Sequence, residues 1–390
     1  MILEIEEGIR LLSKNKKLMA PYIIVILLTT FFSFLAQKAI NRSKALFVLF
    51  SFFVLFVPSL FAAFRDITVG VDVRVYECYV FQQARSVNSL SDLLSISELE
   101  PFFVILNYIS SLVSDKINFA LFVIQFSVLF FAYVAIVRVR DIVPMWIMML
   151  LFMLGYYNLS FNLMRQCIAI TYIMFAYTYL LKDDRILKFI LVGCVALFMH
   201  KTAVAPILGL SYIHWAVRRD NRKFYAAFMI VLLAILLVSL KMVLDMLASI
   251  SPALEKYVAY GGGEGAKGGF KSGLITILWG VILLCMILVA ISNRYRVLSD
   301  NVLYCYFLVL CVDLACQFLG LYAGFATRLG MYFSALQVFY FPRFALTSRF
   351  NEKSNMIFRI MVIMIFVCIW LRMVNSTGNT IPYTSEILGI

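Results

Sequence analysis

Three features of this chain predict an all-α integral membrane protein, a polytopic bundle of about 12–13 transmembrane helices with a large first external loop. Apolar runs recur from end to end, and a run of about 20 such residues crosses a bilayer as a helix. Of 390 residues, 63% are hydrophobic and mean hydropathy is +0.94, far above the half-apolar usage of soluble domains. Charge, only 14% of the chain, gathers in loops that alternate between strongly basic and mixed. The alternating segments of about ten residues that mark a transmembrane barrel are absent.

Residues 1–18 open the chain. Ile2, Ile5, Ile9 and Leu12 recur at helical spacing, which fits an amphipathic helix on the membrane interface or a plain tail. Glu4, Glu6 and Glu7 precede the first lysines, unlike a cleaved signal. Residues 19–390 read as a single polytopic domain with spans at 19–36, 45–64, 118–137, 143–158, 166–181, 186–199, 202–217, 223–242, 272–292, 301–321, 329–342 and 355–374. The short apolar stretch 101–114 makes thirteen if it crosses and leaves twelve if it is re-entrant or lies along the surface.

Charge sets the orientation. Loops 37–44, 138–142, 182–188, 218–223, 293–296 and 343–353 hold seventeen Lys and Arg against five acids. The alternate loops, 65–117, 158–165, 200–201, 243–271, 322–328 and 375–390, hold ten bases and eleven acids. The positive-inside rule makes the first set cytoplasmic and the second external, and the alternation is consistent only if 101–114 stays within the loop 65–117. Lys14, Lys16 and Lys17 then fall outside, against the trend.

Several function classes drop out. The formal charge of +13 resides in cytoplasmic loops, so no nucleic acid partner is called for. Eight scattered cysteines form no CxxC pair and there are two histidines, so neither a metal centre nor a disulfide framework is indicated and no cofactor is expected. The run Gly261 to Gly269 rules out helix in the external loop 243–271. It lacks the GK[ST] ending of a phosphate loop, and reads equally as a lid over an external cavity or a flexible linker. No internal repeat is evident.

The unusual polar residues all fall on the external side. Arg65, Asp66, Asp72, Arg74, Tyr76 and Glu77 open the first loop, and Glu100-Pro101 opens the short apolar segment. Asn158, Asn162, Arg165 and Gln166 stand at the mouth of a span pair, His200-Lys201-Thr202 forms a tight turn, and Arg328 starts an apolar run. Each could simply snorkel to the interface, but ionisable groups at membrane depth are functional candidates by default. Arginine forks bind phosphate oxygens, cations stabilise charge on a departing group, and a carboxylate or histidine can take a proton from a sugar hydroxyl. Phosphate-bearing substrates in an outer leaflet are lipid-linked, which points to a lipid-phosphate-dependent transferase or a carrier of such lipids.

Five motifs carry a resemblance. Arg65-Asp66…Val69-Gly70-Val71-Asp72…Tyr76 resembles the opening motif of the EpsG family of exopolysaccharide and capsule polymerases, a Wzy-like group to which O-antigen polymerases are related. Glu100-Pro101-Phe102-Phe103, the segment Asn162 to Ala169, Phe198 to Ala203, and Ile381-Pro382-Tyr383 resemble later family motifs, in order. Val71 stands where the family usually has Thr, and the N-terminal segment is longer than usual. The resemblance implies a GT-C-like bundle in the bacterial inner (plasma) membrane, multi-pass, with its active site facing the periplasm or exterior. It implies a glycosyltransferase that joins oligosaccharide repeat units carried on undecaprenyl diphosphate, beside a flippase and a chain-length regulator. Asp72, Glu100 and His200 are then the candidates for activating or orienting the acceptor hydroxyl. Arg65, Arg165, Gln166, Lys201 and Arg328 are candidates for binding diphosphate or sugar, with Tyr76 stacking on a sugar ring. Two other readings stand beside it, a flippase or transporter of lipid-linked saccharides and an acyltransferase acting on surface sugars. Transporters should show internal repeats and charge at mid-depth, and an acyltransferase would need His200 near cytosolic acyl-CoA.

Overall fold

The computed structural model describes residues 2–235, 277, 280, 281, 301–320, 324–347, 352–376 and 379–390, and every regular element among them is helical. The lid-or-linker segment 243–271, with Tyr257 and Tyr260, lies outside the described residues, as do Lys241 and most of the expected span 272–292. By chain contacts the molecule divides into two units, one formed by residues 1–175, 195–201 and 345–390, the other by 176–194 and 202–344.

Helix α1 runs unbroken over Ile2–Ala39, so residues 2–18 continue directly into the first span; Pro21 sits inside the helix. Helix α2 (Lys44–Phe64) starts at Ser43, whose hydroxyl accepts from the Leu46 N–H at 3.3 Å and satisfies one orphan donor of the first turn. Among the described residues four helices are long and apolar enough to cross a membrane alone: Met19–Ala39, Lys44–Phe64, Ile117–Arg138 and Asn301–Leu319. Shorter apolar helices cover Pro101–Val113, Met145–Tyr157 and Ile186–Phe198. The protein is thus a polytopic helical membrane protein.

In the first unit α1 packs on α2 and on α7 (Met145–Phe152), and α2 packs on α6 (Ile117–Arg138). The long loop 65–117 is largely helical. A π-helical turn (Val73–Glu77) leads into α3 (Cys78–Ser86), followed by α4 (Leu90–Ile96) and α5 (Pro101–Val113). Ala84, Leu93 and Val104 give these three short helices a small core of their own, flanked by Val87, Leu99 and Tyr108. Helix α5 also leans on α6, which ties the loop to the bundle.

The second unit contains α9 (Ile186–Cys194), α10 (Val204–Val217), a helix at 222–235, and the pair Asn301–Leu319 and Gly324–Ala335. A Cβ on Gly330 would lie 2.8 Å from Cys316 Cβ, so only glycine lets this pair approach so closely. The expected span 329–342 is not one helix. It divides at Leu336 into Gly324–Ala335 and Gln337–Thr347, because the Leu336 and Phe339 N–H groups bond three residues back. Tyr177 and Tyr340 share a hydroxyl–hydroxyl hydrogen bond, and the Tyr340 ring stacks on Tyr306 with centroids 4.7 Å apart. Asp184 pairs with Arg218 and with His214 Nε2 at 3.1 Å.

Candidate functional site

The end of α2 organises the first unit's polar face. A helix leaves its last carbonyls without internal partners, and here side chains satisfy all four. Tyr383 donates to Phe61 O (2.7 Å), Arg65 to Ala62 O (2.8 Å), Asn118 to Ala63 O (2.6 Å) and Ser385 to Phe64 O (2.6 Å). The Arg65 cation thus sits where the helix dipole favours positive charge. Its guanidinium lies over the Phe161 ring at 4.2 Å and is 3.9 Å from Met164 Sδ, and the residue is buried. Expected at the diphosphate, Arg65 is instead placed under the site, in the framework.

From there the chain is pinned on both sides. The Asp66 N–H donates to Thr384 O, the Gly70 N–H to Asn379 O, and the Val71 N–H to Asn162 Oδ1 at 2.7 Å. Gly70 has φ +94°, and a Cβ there would meet Phe161 O at 2.7 Å. Both the left-handed backbone and the close approach demand glycine. Immediately after, the π-helical turn widens the coil so that Tyr76 faces outward and Glu77 inward. Isolated π turns of this kind gather at functional sites, and a second, Met153–Tyr157, leads to the turn holding Asn158 and Asn162. Trp370 Nε1 fixes that turn by donating to Asn158 Oδ1 at 2.9 Å.

Four of the expected residues meet on this scaffold. Arg165, in the first turn of α8 (Met164–Leu181), forms an ion pair with Glu100, and its guanidinium lies 5.0 Å from the Tyr76 ring centre. Glu100 precedes Pro101, which holds it extended as the N-cap of α5. Its side chain does not cap that helix. One carboxylate oxygen instead takes Arg165, and the other lies 3.9 Å from His200 Nε2. His200 is held between two 3-10 turns, Val195–Phe198 and Lys201–Ala203, by its N–H bond to Ala196 O. The ion pair is mostly desolvated but not sealed: the Glu100 and Arg165 side chains are 9% and 21% exposed. Asp72 is half-buried and near enough to act electrostatically on Cys167, in the same first turns of α8. The group carries a carboxylate, an arginine and a histidine, and opens to the surface beside an exposed tyrosine.

The remaining expected residues lie elsewhere. Gln166 is buried behind Arg165, and Lys201 is exposed on the turn after His200. Arg328 is exposed on Gly324–Ala335 in the second unit. Asp313, inside a span, accepts from Ser334 at 2.7 Å and Gln317 at 3.3 Å. Among the described residues no three His, Cys, Asp or Glu groups come together as a metal site.

One buried carboxylate, grouped in the sequence with the polar residues of the first loop, was given no expected role. Glu77 is fully buried; its Oε2 accepts from Asn107 at 3.3 Å, and the Arg65 charge acts on it. Burial raises its pKa to about 7, against the lowering effects of Asn107 and Arg65. Five positions after Asp72, it looks like any loop acid until the π turn rotates it inward.

A model of the EpsG family matches residues 45–385 of the chain, spanning every group just described except the N-terminal segment. No curated protein and no solved structure shows a significant match.

Proposed function

The chain belongs to the EpsG family, whose members are Wzy-type polymerases, and from that premise we propose that it joins undecaprenyl-diphosphate-linked oligosaccharide units at the outer face of the bacterial inner membrane. The observation that carries this reading is the Arg165–Glu100–His200 group beside Tyr76, built from three of the family-like motifs.

In this reading an acceptor sugar hydroxyl attacks the anomeric carbon of a lipid-linked chain. The new C–O bond forms as the bond to the lipid diphosphate breaks, and the diphosphate leaves with the electron pair. Arg165 has five N–H donors in a fixed fork, and beside Glu100 it is oriented to receive the departing charge. Lys201, on the neighbouring turn, adds a further cation. Asp72 or His200 takes the hydroxyl proton. Glu100 is shared between Arg165 and His200 and serves by holding both. Tyr76, held by Arg165 on one face, offers a ring edge to a sugar. Arg65 and Gln166 act through the framework. A flippase supplying the lipid-linked units and a chain-length regulator are the partners this activity calls for.

The test is reconstitution in lipid nanodiscs with undecaprenyl-diphosphate oligosaccharide. The expected product is a ladder of longer chains, lost in Arg165→Ala by at least 100-fold at unchanged expression. Lipid translocation without a ladder from any repeat unit overturns the polymerase reading, and wild-type chain growth in Arg165→Ala removes that arginine from the site.

A further inference from the structure

The stretch from Val71 to Tyr79 is inside-out for a loop. Its inner face carries the buried Glu77, alongside Val73. Its outer face carries Val71, Val75 and Tyr79 at i, i+4 and i+8, with Val75 53% and Tyr79 62% exposed. A water-facing segment would place its carboxylate out and its valines in. The same outer face presents two other groups: the exposed guanidinium of Arg74, and Tyr76 with Arg165 over its ring. Farther along α3 the exposed positions turn polar, at Gln82, Arg85 and Ser86, so the apolar row is confined to the turns that adjoin the Arg165 group.

A row of apolar side chains beginning beside two arginines has the chemistry of an amphiphile with an anionic head. We infer that this face seats the substrate lipid itself: Arg74 joins Arg165 on the diphosphate, and the first isoprene units lie along Val71, Val75 and Tyr79. The inference rests on the polymerase reading and gives it a route for the lipid. A general membrane lipid also has an apolar tail, but a sugar-linked carrier diphosphate brings two negative charges to one point, which matches two arginines at one face. The Val71 N–H, tied to Asn162, fixes the row to the turn that also leads into Arg165, so tail and head contacts share one rigid support.

The test uses the full chain in nanodiscs with the photoreactive residue p-benzoylphenylalanine in place of Val75, and radiolabelled undecaprenyl diphosphate as probe. Labelling is expected, and excess unlabelled undecaprenyl diphosphate should suppress it at least tenfold while phosphatidylglycerol does not. In parallel, Val75→Asp and Arg74→Gln should raise KM for the undecaprenyl-linked unit about tenfold. With a soluble analogue that carries the same oligosaccharide diphosphate on a methyl group and no isoprene unit, Val75→Asp should have no effect while Arg74→Gln still weakens binding. Equal suppression by phosphatidylglycerol, capture of a second protein copy, or unchanged KM in both variants overturns the inference. A wild-type ladder without Val75 labelling sinks this lipid seat alone; no ladder from wild type sinks the polymerase reading instead.

Discussion

At the scale of single residues, the site depends on where each charge can be satisfied. Arg65 and Arg165 look alike in sequence, each opening a segment after an apolar run, yet one is buried on a helix-end carbonyl and the other, partly exposed, pairs with the buried Glu100 carboxylate. Glu77 shows the cost of such placement most directly. A carboxyl whose pKa is about 7 in the fold and near 4.5 when unfolded binds its proton more tightly in the folded state. Folded stability from this group is therefore complete below about pH 4.5, declines as pH rises toward 7, and is constant above that. Asn107, Arg65 and Cys78 are the groups around it, and Asn107 and then Arg65 limit the loss. The effect amounts to at most about 3 kcal/mol. Glu77→Gln is expected to abolish this slope in thermal unfolding measured from pH 4.5 to 8. Retention of the full wild-type slope would assign it to other groups.

At the scale of elements, two π-helical turns and one glycine do the positioning. Hydrophobic periodicity announces α2, α5, α6 and α8 because each needs an apolar stripe whatever its surroundings. A π turn has no such signature, since inserting one residue into a coil leaves composition unchanged. Gly70 is the exception, visible in sequence as a lone glycine between valines and explained in space by its positive φ and by Phe161 O. Gly70→Ala forces a side chain into that conformation and contact, at a cost of about 1–3 kcal/mol. The expected result is a lower unfolding temperature and chain growth reduced at least tenfold, checked by thermal shift and the ladder assay. Wild-type values for both would show that the turn relaxes without cost.

At the scale of the whole molecule, the two ends of the chain meet at the site. Tyr22, near the start of the first span, donates to Thr380 O, and Tyr383 stacks on Phe61 with centroids 3.9 Å apart. Asn379 and Thr384 carbonyls accept from Gly70 and Asp66, and Asp66 in turn accepts from the Glu386 N–H. The terminal segment thus straps the family-like opening motif in place. Ending the chain after Ser376 removes the six hydrogen bonds that Asn379, Thr380, Tyr383, Thr384, Ser385 and Glu386 make to the rest of the unit and the Tyr383–Phe61 stack, together about 4–10 kcal/mol. A truncated protein is expected to insert in the membrane, unfold at markedly lower temperature in detergent, and make no ladder. An unchanged unfolding temperature would show that the strap contributes nothing to the fold.

The amino-acid sequence by itself determined the class of molecule, the main helices and the set of residues from which a site could be drawn. These follow from local quantities: the length of an apolar run, the spacing of its breaks, and the motif positions at Asp72, Tyr76, Glu100, Arg165 and His200. Which of these residues meet was decided only in three dimensions. Glu100 and Arg165 are 65 positions apart and His200 a further 35, so nothing local relates them. The tertiary structure also sent Arg65 and Glu77 inward and left Val75 and Tyr79 outward, against the order that polarity alone would give. The physical reason is that a buried charge is tolerated where helix carbonyls and paired groups offset its desolvation, and those partners come from distant parts of the chain.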